Sequence, residues 1–201
     1  MLTTFLSFFY VIIGYLFGSV CSAVIVCRLF SLPDPRTEGS KNPGATNVLR
    51  IAGKKYAIIV LITDMLKGFL PVFLAHLLGA NPTVLGFVCL ASVLGHIYPV
   101  FFNFVGGKGV ATALGALLGF NWMLGCLVVV TWLVIALISR YSSLASVVAI
   151  VLAPFYSLFV FHHLSAFVPL GLMMGLVIYK HHSNLTRLMD GTEPKIKLKK
   201  A

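Results

Sequence analysis

The sequence predicts an all-α membrane protein, a polytopic bundle of seven transmembrane helices with its N-terminus outside and its C-terminus in the cytoplasm. Of its 201 residues, 59% are hydrophobic and only 10% are charged, and its mean hydropathy is +1.01, which excludes an ordinary soluble domain. The apolar runs are continuous rather than alternating, which favours helices over a β-barrel. The basic residues lie between these runs, as the positive-inside rule requires. We expect one integral-membrane domain over residues 1–201.

Net charge and cysteine usage exclude several other functions. A net charge of +10 would suggest a nucleic-acid-binding protein if the chain were soluble, but here it follows from membrane topology, so no nucleic-acid partner is expected. The four cysteines have no CxxC spacing and no histidine at ligand spacing, so we predict neither a disulfide nor a metal site. The sequence indicates no cofactor and no obligate protein partner.

Residues 2–27 form the first predicted span. As one helix they would measure about 39 Å, enough to cross a hydrocarbon core of about 30 Å with tilt. No Lys or Arg precedes Arg28, so the basic region of a cleavable signal peptide is missing and we expect this segment to stay as a span. Gly14, Gly18 and Ser22 recur at every fourth position, which predicts close packing against another helix.

Residues 31–55 are polar and rich in Lys and Arg, which predicts a cytoplasmic loop. Its segment 38–47, EGSKNPGATN, carries many hydrogen-bonding side chains, Lys41 among them. Such a segment can be ordinary turn chemistry, but a plain connector needs fewer polar groups, so we favour a role in substrate binding.

The next two spans carry ionisable residues. Residues 57–78 contain Asp64 and Lys67, whose spacing puts them on one helix face near the middle of the membrane. This pair is either a functional site or a self-neutralising structural pair. The third span, residues 83–101, carries His96 near its inner end, either as a hydrogen bond between helices or as part of a site.

Two apolar runs are too long for one crossing each. Residues 110–139 and 144–179 would measure about 45 Å and about 54 Å as single helices. Breaks at residues 119–122 and at His162-His163 divide each run into two crossings, which gives seven spans. In the five-span alternative each long run crosses once, and Arg140 is then left outside.

The tail and a glycine-rich turn complete the polar segments. The tail begins with His181, and its lysines at 195, 197, 199 and 200 are expected to lie on anionic lipid. Residues 106–109, GGKG, can wrap backbone amides around an anion next to a helix N-terminus, while Lys108 adds a full charge. The spacing differs from that of a Walker loop, which argues against an NTPase. Arg50 can bind a phosphate in bidentate fashion.

These polar segments are predicted to meet at the cytoplasmic face and to bind a phosphate-bearing small molecule. There the sequence closely resembles the bacterial acyl-phosphate:glycerol-3-phosphate acyltransferase family (PlsY). Four stretches carry the resemblance, and their order and spacing match as well: GSKNPGATNVLR (39–50), DMLKG (64–68), GHIYPVFFNFVGGKGVAT (95–112) and HHSNLTRLMDGTEPKI (181–196).

The resemblance implies transfer of an acyl group from acyl-phosphate to the 1-hydroxyl of glycerol-3-phosphate in the bacterial inner membrane, with the active site on the cytoplasmic side. The products would be lysophosphatidic acid and inorganic phosphate. The implied catalytic and structural residues are Ser40, Asn42, Arg50, His181, Asn184 and Glu193, the last of them structural. The implied substrate-binding residues are Gly106, Gly107, Lys108 and Gly109, to which we add Lys41, His96, Asp64 and Lys67.

Several alternatives stay open. The general base is His181, His96 or the phosphate of the donor, and His182 competes with its neighbour as the functional tail histidine. Direct transfer is favoured over an acyl-enzyme on Ser40, because acyl-phosphate already carries a good leaving group and no base can be assigned to the serine. The rival function is a transporter or flippase for a small phosphate ester, with Asp64 and Lys67 as its coupling site.

Overall fold

The structure, a computed structural model, describes residues 2–196, with the side chains of residues 2 and 3 left out. The lysines at 197, 199 and 200, expected on anionic lipid, lie outside this range. The described residues form helices joined by short turns, and none of them lies in a β-strand. The helices are α1 (Leu2–Gly18), α2 (Ser22–Leu29), α3 (Ala45–Ala52), α4 (Lys54–Leu77), α5 (Pro82–Ile97), α6 (Val110–Phe120), α7 (Trp122–Ser139), α8 (Ser142–Phe161), α9 (Phe167–Lys180) and α10 (His182–Met189).

The first apolar run departs from the predicted single helix. It is interrupted at residues 19–21, between α1 and α2. In this break the backbone carbonyl of Val20 accepts a hydrogen bond from the Lys67 ammonium, at 2.7 Å. Lys67, 47 residues away in sequence, therefore replaces a hydrogen bond that the interrupted helix lacks. The local pattern of apolar residues could not indicate this contact.

The two predicted helix breaks are present. Helix α6 ends at Phe120 and α7 begins at Trp122, with the Asn121 side chain accepting from the Leu124 amide as an N-cap. Helix α8 ends at Phe161, just before the two histidines. Within residues 2–196, five helical segments are long and apolar enough to cross a membrane, and the number is six if residues 164–180 and α10, which are bent by 58°, are counted as one span. Helix α6, with 11 residues, is shorter than these.

Glycines bring the helices into backbone contact. A Cβ on Gly68 of α4 would lie 2.1 Å from the Thr112 carbonyl oxygen, and one on Gly115 of α6 would lie 1.9 Å from the Met65 carbonyl oxygen. Helices α1 and α5 meet in the same way, since a Cβ on Gly18 would lie 2.0 Å from a carbonyl oxygen of α5. The close packing predicted for the small residues of the first span is therefore confirmed.

The bundle brings the polar segments to one end. Its core is apolar and includes Val72, Val88, Val93, Ile97, Leu117, Leu124, Ile150, Leu170 and Met173. Helices α4, α6 and α8 begin at the same end of the bundle at which α5, α7 and α9 finish, because consecutive helices are antiparallel. The loops at this end, called here the site end, hold α3, the glycine turn and α10.

Candidate active site

A cavity of about 840 Å³ opens at the site end. Of the residues singled out from the sequence, Gly107 and Lys67 do not line it. All the others do: Ser40, Lys41, Asn42, Arg50, Asp64, His96, Gly106, Lys108, Gly109, His181, Asn184 and Glu193. The structure thus brings together segments that are more than 100 residues apart in sequence, as predicted from their shared chemistry.

The loop before α3 is held by Asn47, a residue that sequence analysis did not single out. Its side-chain oxygen accepts from the Ser40 amide at 2.8 Å, and its amide nitrogen donates to the carbonyls of Pro35 and Glu38, both at 2.9 Å. The side chain is buried within the first turn of α3. Asparagine at a helix start commonly binds nearby backbone, so this signal was present in the sequence. The result is a fixed backbone at Ser40, next to the cavity.

The glycine turn folds back onto the end of α5. The Gly107 amide donates to the His96 carbonyl at 3.1 Å. A Cβ at position 107 would lie 2.2 Å from Nε2 of His96 and 3.0 Å from the Pro43 carbonyl oxygen, so only glycine fits. Gly109 has a positive φ of 85° and begins α6. The packing of Gly107 behind the turn leaves Lys108 beside the cavity.

Lys108 lies at one end of a chain of polar contacts. Its ammonium donates to Oδ1 of Asn184, whose Nδ2 donates to the Glu193 carboxylate at 2.7 Å. The second Glu193 oxygen accepts from Arg187 at 2.8 Å. Burial, and after it the positive charge of Arg187, lowers the pKa of Lys108 to about 8. This ammonium is held in place by a neutral amide and remains available to an anion.

His181 is the buried member of the histidine pair, while His182 is exposed. Its Nδ1 lies 2.8 Å from the Val177 carbonyl oxygen, which can only accept, so Nδ1 carries the proton and Nε2 is left as an acceptor. Burial lowers the pKa of His181 to about 4, so the ring is neutral at pH 7. The fixed tautomer favours His181 over its neighbour as the functional histidine.

A buried polar network adjoins the cavity. The Lys67 ammonium is 2.8 Å from Oδ1 of Asp64, and Nδ1 of His96 is 3.7 Å from the same oxygen and 3.1 Å from the Thr112 hydroxyl. The predicted ion pair is present, but only one of its two side chains lines the cavity. Asp64 reaches the cavity wall, whereas the Lys67 ammonium is directed at Asp64 and at the broken first span.

One wall of the cavity is apolar, and the residues that form it were not predicted from sequence. Its wall combines α4, α6 and α7 and is formed by Leu61, Met65, Leu114, Val129 and Trp132. The indole nitrogen of Trp132 donates to the Ser146 hydroxyl at 3.0 Å, which ties α7 to α8 along this wall. These residues look like ordinary lipid-span residues in the sequence, and only the tertiary packing brings them together.

Another part of the cavity lining is cationic. Five basic side chains line the cavity, namely Lys41, Arg50, Lys108, Lys180 and Arg187. Both carboxylates that line it, Asp64 and Glu193, are in ion pairs. Within residues 2–196, no three His, Cys, Asp or Glu side chains are grouped as a metal ion would require. The cavity therefore offers cations for phosphate groups and an apolar wall for a hydrocarbon chain.

Known proteins are similar to this chain along almost its whole length. The family model described as "Glycerol-3-phosphate acyltransferase" matches residues 8–191. A glycerol-3-phosphate acyltransferase of Legionella pneumophila (strain Corby) is 60% identical over 191 residues, which are 95% of this chain and 69% of the relative. The crystal structure of PlsY, an integral membrane glycerol 3-phosphate acyltransferase, in its glycerol 3-phosphate form is 42% identical with a TM-score of 0.88, covering 95% of this chain and 96% of that one. Its lysophosphatidic acid form is 41% identical with a TM-score of 0.86, covering 95% of each chain.

Proposed function

The chain belongs to the glycerol-3-phosphate acyltransferase family, and from this premise we propose that it transfers a fatty acyl group from acyl-phosphate to the 1-hydroxyl of glycerol-3-phosphate. The products are lysophosphatidic acid and inorganic phosphate. The observation that carries the proposal is the cavity itself, whose lining combines five cations with an apolar wall between helices. Two phosphate-bearing substrates, one with a fatty chain, match this division of charge.

The phosphate of glycerol-3-phosphate binds at Lys108 and the glycine turn. The N-terminal end of α6 adds its positive dipole there, because this helix begins directly after Gly109. Arg50 and Lys41, which also line the cavity, receive the phosphate of the donor. The acyl chain lies along the apolar wall that contains Trp132.

The reaction is a direct transfer. The 1-hydroxyl oxygen attacks the acyl carbonyl carbon, and the bond between this carbon and the bridging phosphate oxygen breaks as inorganic phosphate leaves. Nε2 of His181 accepts the hydrogen bond of the hydroxyl and orients it. Because the pKa of His181 is only about 4, the proton passes to the leaving phosphate, whose oxygens titrate near neutral pH.

Ser40 and Asn42 act on the carbonyl oxygen. Their loop is fixed by Asn47, so these donors are placed in advance for the negative charge that develops on this oxygen during attack. Within the described part of the chain, no histidine or carboxylate is hydrogen-bonded to the Ser40 hydroxyl. An acyl-enzyme on this serine would require such a base.

The cavity faces the cytoplasm of a bacterial inner membrane, in a seven-span topology with the N-terminus outside. The basic residues support this, because Arg28, Arg50 and Arg140 all lie at the site end. A Ser142→Cys variant in intact cells provides the test. We expect an impermeant maleimide to leave this cysteine unlabelled, and labelling would refute the topology.

One experiment tests the proposed reaction. Purified protein in detergent receives acyl-phosphate and labelled glycerol-3-phosphate, and labelled lysophosphatidic acid is measured. We expect product to form without added cofactor and Lys108→Ala to raise the KM for glycerol-3-phosphate by about tenfold or more, since a charge-assisted hydrogen bond is lost. Turnover with acyl-CoA in place of acyl-phosphate would contradict the proposed donor.

A further inference from the structure

The end of the described chain is bound to the turn between α7 and α8. The Ile196 amide donates to the Arg140 carbonyl at 2.7 Å, and the Arg140 guanidinium donates to the Ile196 carbonyl at 3.4 Å. Beside them the Lys195 ammonium lies 5.5 Å from the centroid of the Tyr141 ring, within range of a cation–π interaction. We call the contacts of residues 195 and 196 with residues 140 and 141 the tail clasp.

The turn is well suited to hold the tail. Arg140 ends α7 in the left-handed conformation, with φ 63°, and its own amide donates to the Ala136 carbonyl at 3.0 Å. The carbonyl groups of the last helical turn have no partner within the helix. The Ile196 amide therefore satisfies a backbone group that would otherwise need water or lipid headgroups.

The clasp continues without a gap to the catalytic cavity. Glu193 is three residues before Ile196, and its amide donates to the Arg187 carbonyl at 3.0 Å. Its carboxylate accepts from Asn184 at 2.7 Å, and the Asn184 amide oxygen accepts from Lys108. The contacts of Glu193 with Asn184 and of Asn184 with Lys108 are directional hydrogen bonds, and the backbone joins Glu193 to Ile196 over three residues, so the position of the tail influences the orientation of the Asn184 amide.

That orientation decides whether Lys108 is held. The Asn184 side chain presents its oxygen to the ammonium only while its NH2 group faces the Glu193 carboxylate. If Glu193 moved away, the amide could rotate and direct an N–H dipole toward the ammonium, which repels it. An ammonium displaced in this way would no longer be in place for a substrate phosphate.

We propose that the tail clasp is a positioning device, through which Arg140, Tyr141, Lys195 and Ile196 set Lys108 for the phosphate of glycerol-3-phosphate. This inference rests on the proposed function, because it assigns that phosphate to Lys108. None of the four residues lines the cavity. They act through Glu193 and Asn184, and they were missed in the sequence because α7 and the tail are far apart along the chain.

A backbone substitution tests the clasp. Ile196→Pro removes the amide that donates to Arg140, whereas the matched control Ile196→Ala keeps this amide and shortens only the side chain. We expect Ile196→Pro to raise the KM for glycerol-3-phosphate about fivefold to tenfold with kcat within about twofold, and Ile196→Ala to leave both unchanged. An unchanged KM in a folded Ile196→Pro protein would overturn the proposal.

A second pair of variants and a double mutant separate positioning from mere folding. Tyr141→Ala should raise the KM for glycerol-3-phosphate, while Tyr141→Phe, which keeps the aromatic ring, should not. If Ile196→Pro fails to fold, this pair of variants tests the positioning role in its place. In a Lys108→Ala background, Ile196→Pro should cause no further rise, because the group that it positions is already gone. Additive effects in that background would overturn the proposal. If the wild-type protein itself forms no lysophosphatidic acid, the proposed function fails, and this outcome is distinct from failure of the clasp.

Discussion

The sharpest consequence of the structure concerns Lys108 and pH. Its pKa is lowered to about 8, first by burial and then by neighbouring positive charge, mainly that of Arg187. Only the protonated ammonium attracts phosphate, so binding of glycerol-3-phosphate should be lost as pH rises through this value. With a pKa of about 8, the protonated fraction falls from about nine-tenths at pH 7 to about one-tenth at pH 9, which predicts a tenfold loss of kcat/KM.

The assay is the initial rate of lysophosphatidic acid formation at limiting glycerol-3-phosphate, between pH 7 and 9. The substrate phosphate stays dianionic across this range, because the second pKa of phosphate monoesters is about 6. Lys108→Arg is the matched control, since a guanidinium keeps its charge, and its kcat/KM should not fall in this way. A flat wild-type profile, or the same fall in Lys108→Arg, would refute the assignment of this lysine to the phosphate.

The remaining predictions concern the loop, the turn and the buried pair. Ser40→Ala should lower kcat about tenfold to a hundredfold, with little change in the KM for acyl-phosphate or for glycerol-3-phosphate. A change confined to KM would argue against the role of Ser40 at the carbonyl oxygen. Gly107→Ala should lower kcat/KM by about tenfold or more, because its Cβ would lie 2.2 Å from an imidazole nitrogen. Gly171→Ala, where no atom lies within 4 Å of the added Cβ, should retain full activity. Lys67→Met should destabilise the protein by about 3–5 kcal/mol, because Asp64 is left buried without its cation, and Asp64→Asn in the same chain should recover part of the loss in thermal unfolding.

Much of the fold could be predicted because membrane constraints act on local sequence. Continuous apolar runs predicted helices, and an excessive length predicted the breaks that the structure has near Asn121 and His162. The ion pair of Asp64 and Lys67 followed from helical spacing alone. The break in the first span could not be predicted from helical spacing, because its backbone is bound by a lysine of another helix.

The residues of the site could largely be predicted from the sequence, whereas their spatial arrangement could not. Glycines, cations and amides clustered in three segments, and their chemistry indicated one phosphate site before any contact was known. The tautomer of His181 depends on one carbonyl in the preceding helical turn, and the apolar wall at Trp132 depends on how three helices pack. Such features arise from tertiary contacts, which single-residue patterns do not encode.

The most direct test of the central claim is a single turnover experiment with oxygen-18 in the 1-hydroxyl of glycerol-3-phosphate. Direct attack of this hydroxyl on acyl-phosphate predicts that the label stays in the ester of lysophosphatidic acid and that the inorganic phosphate carries none. It also predicts no acylated protein when glycerol-3-phosphate is omitted. Loss of the label from the ester, or a stable acyl adduct on Ser40, would contradict direct transfer.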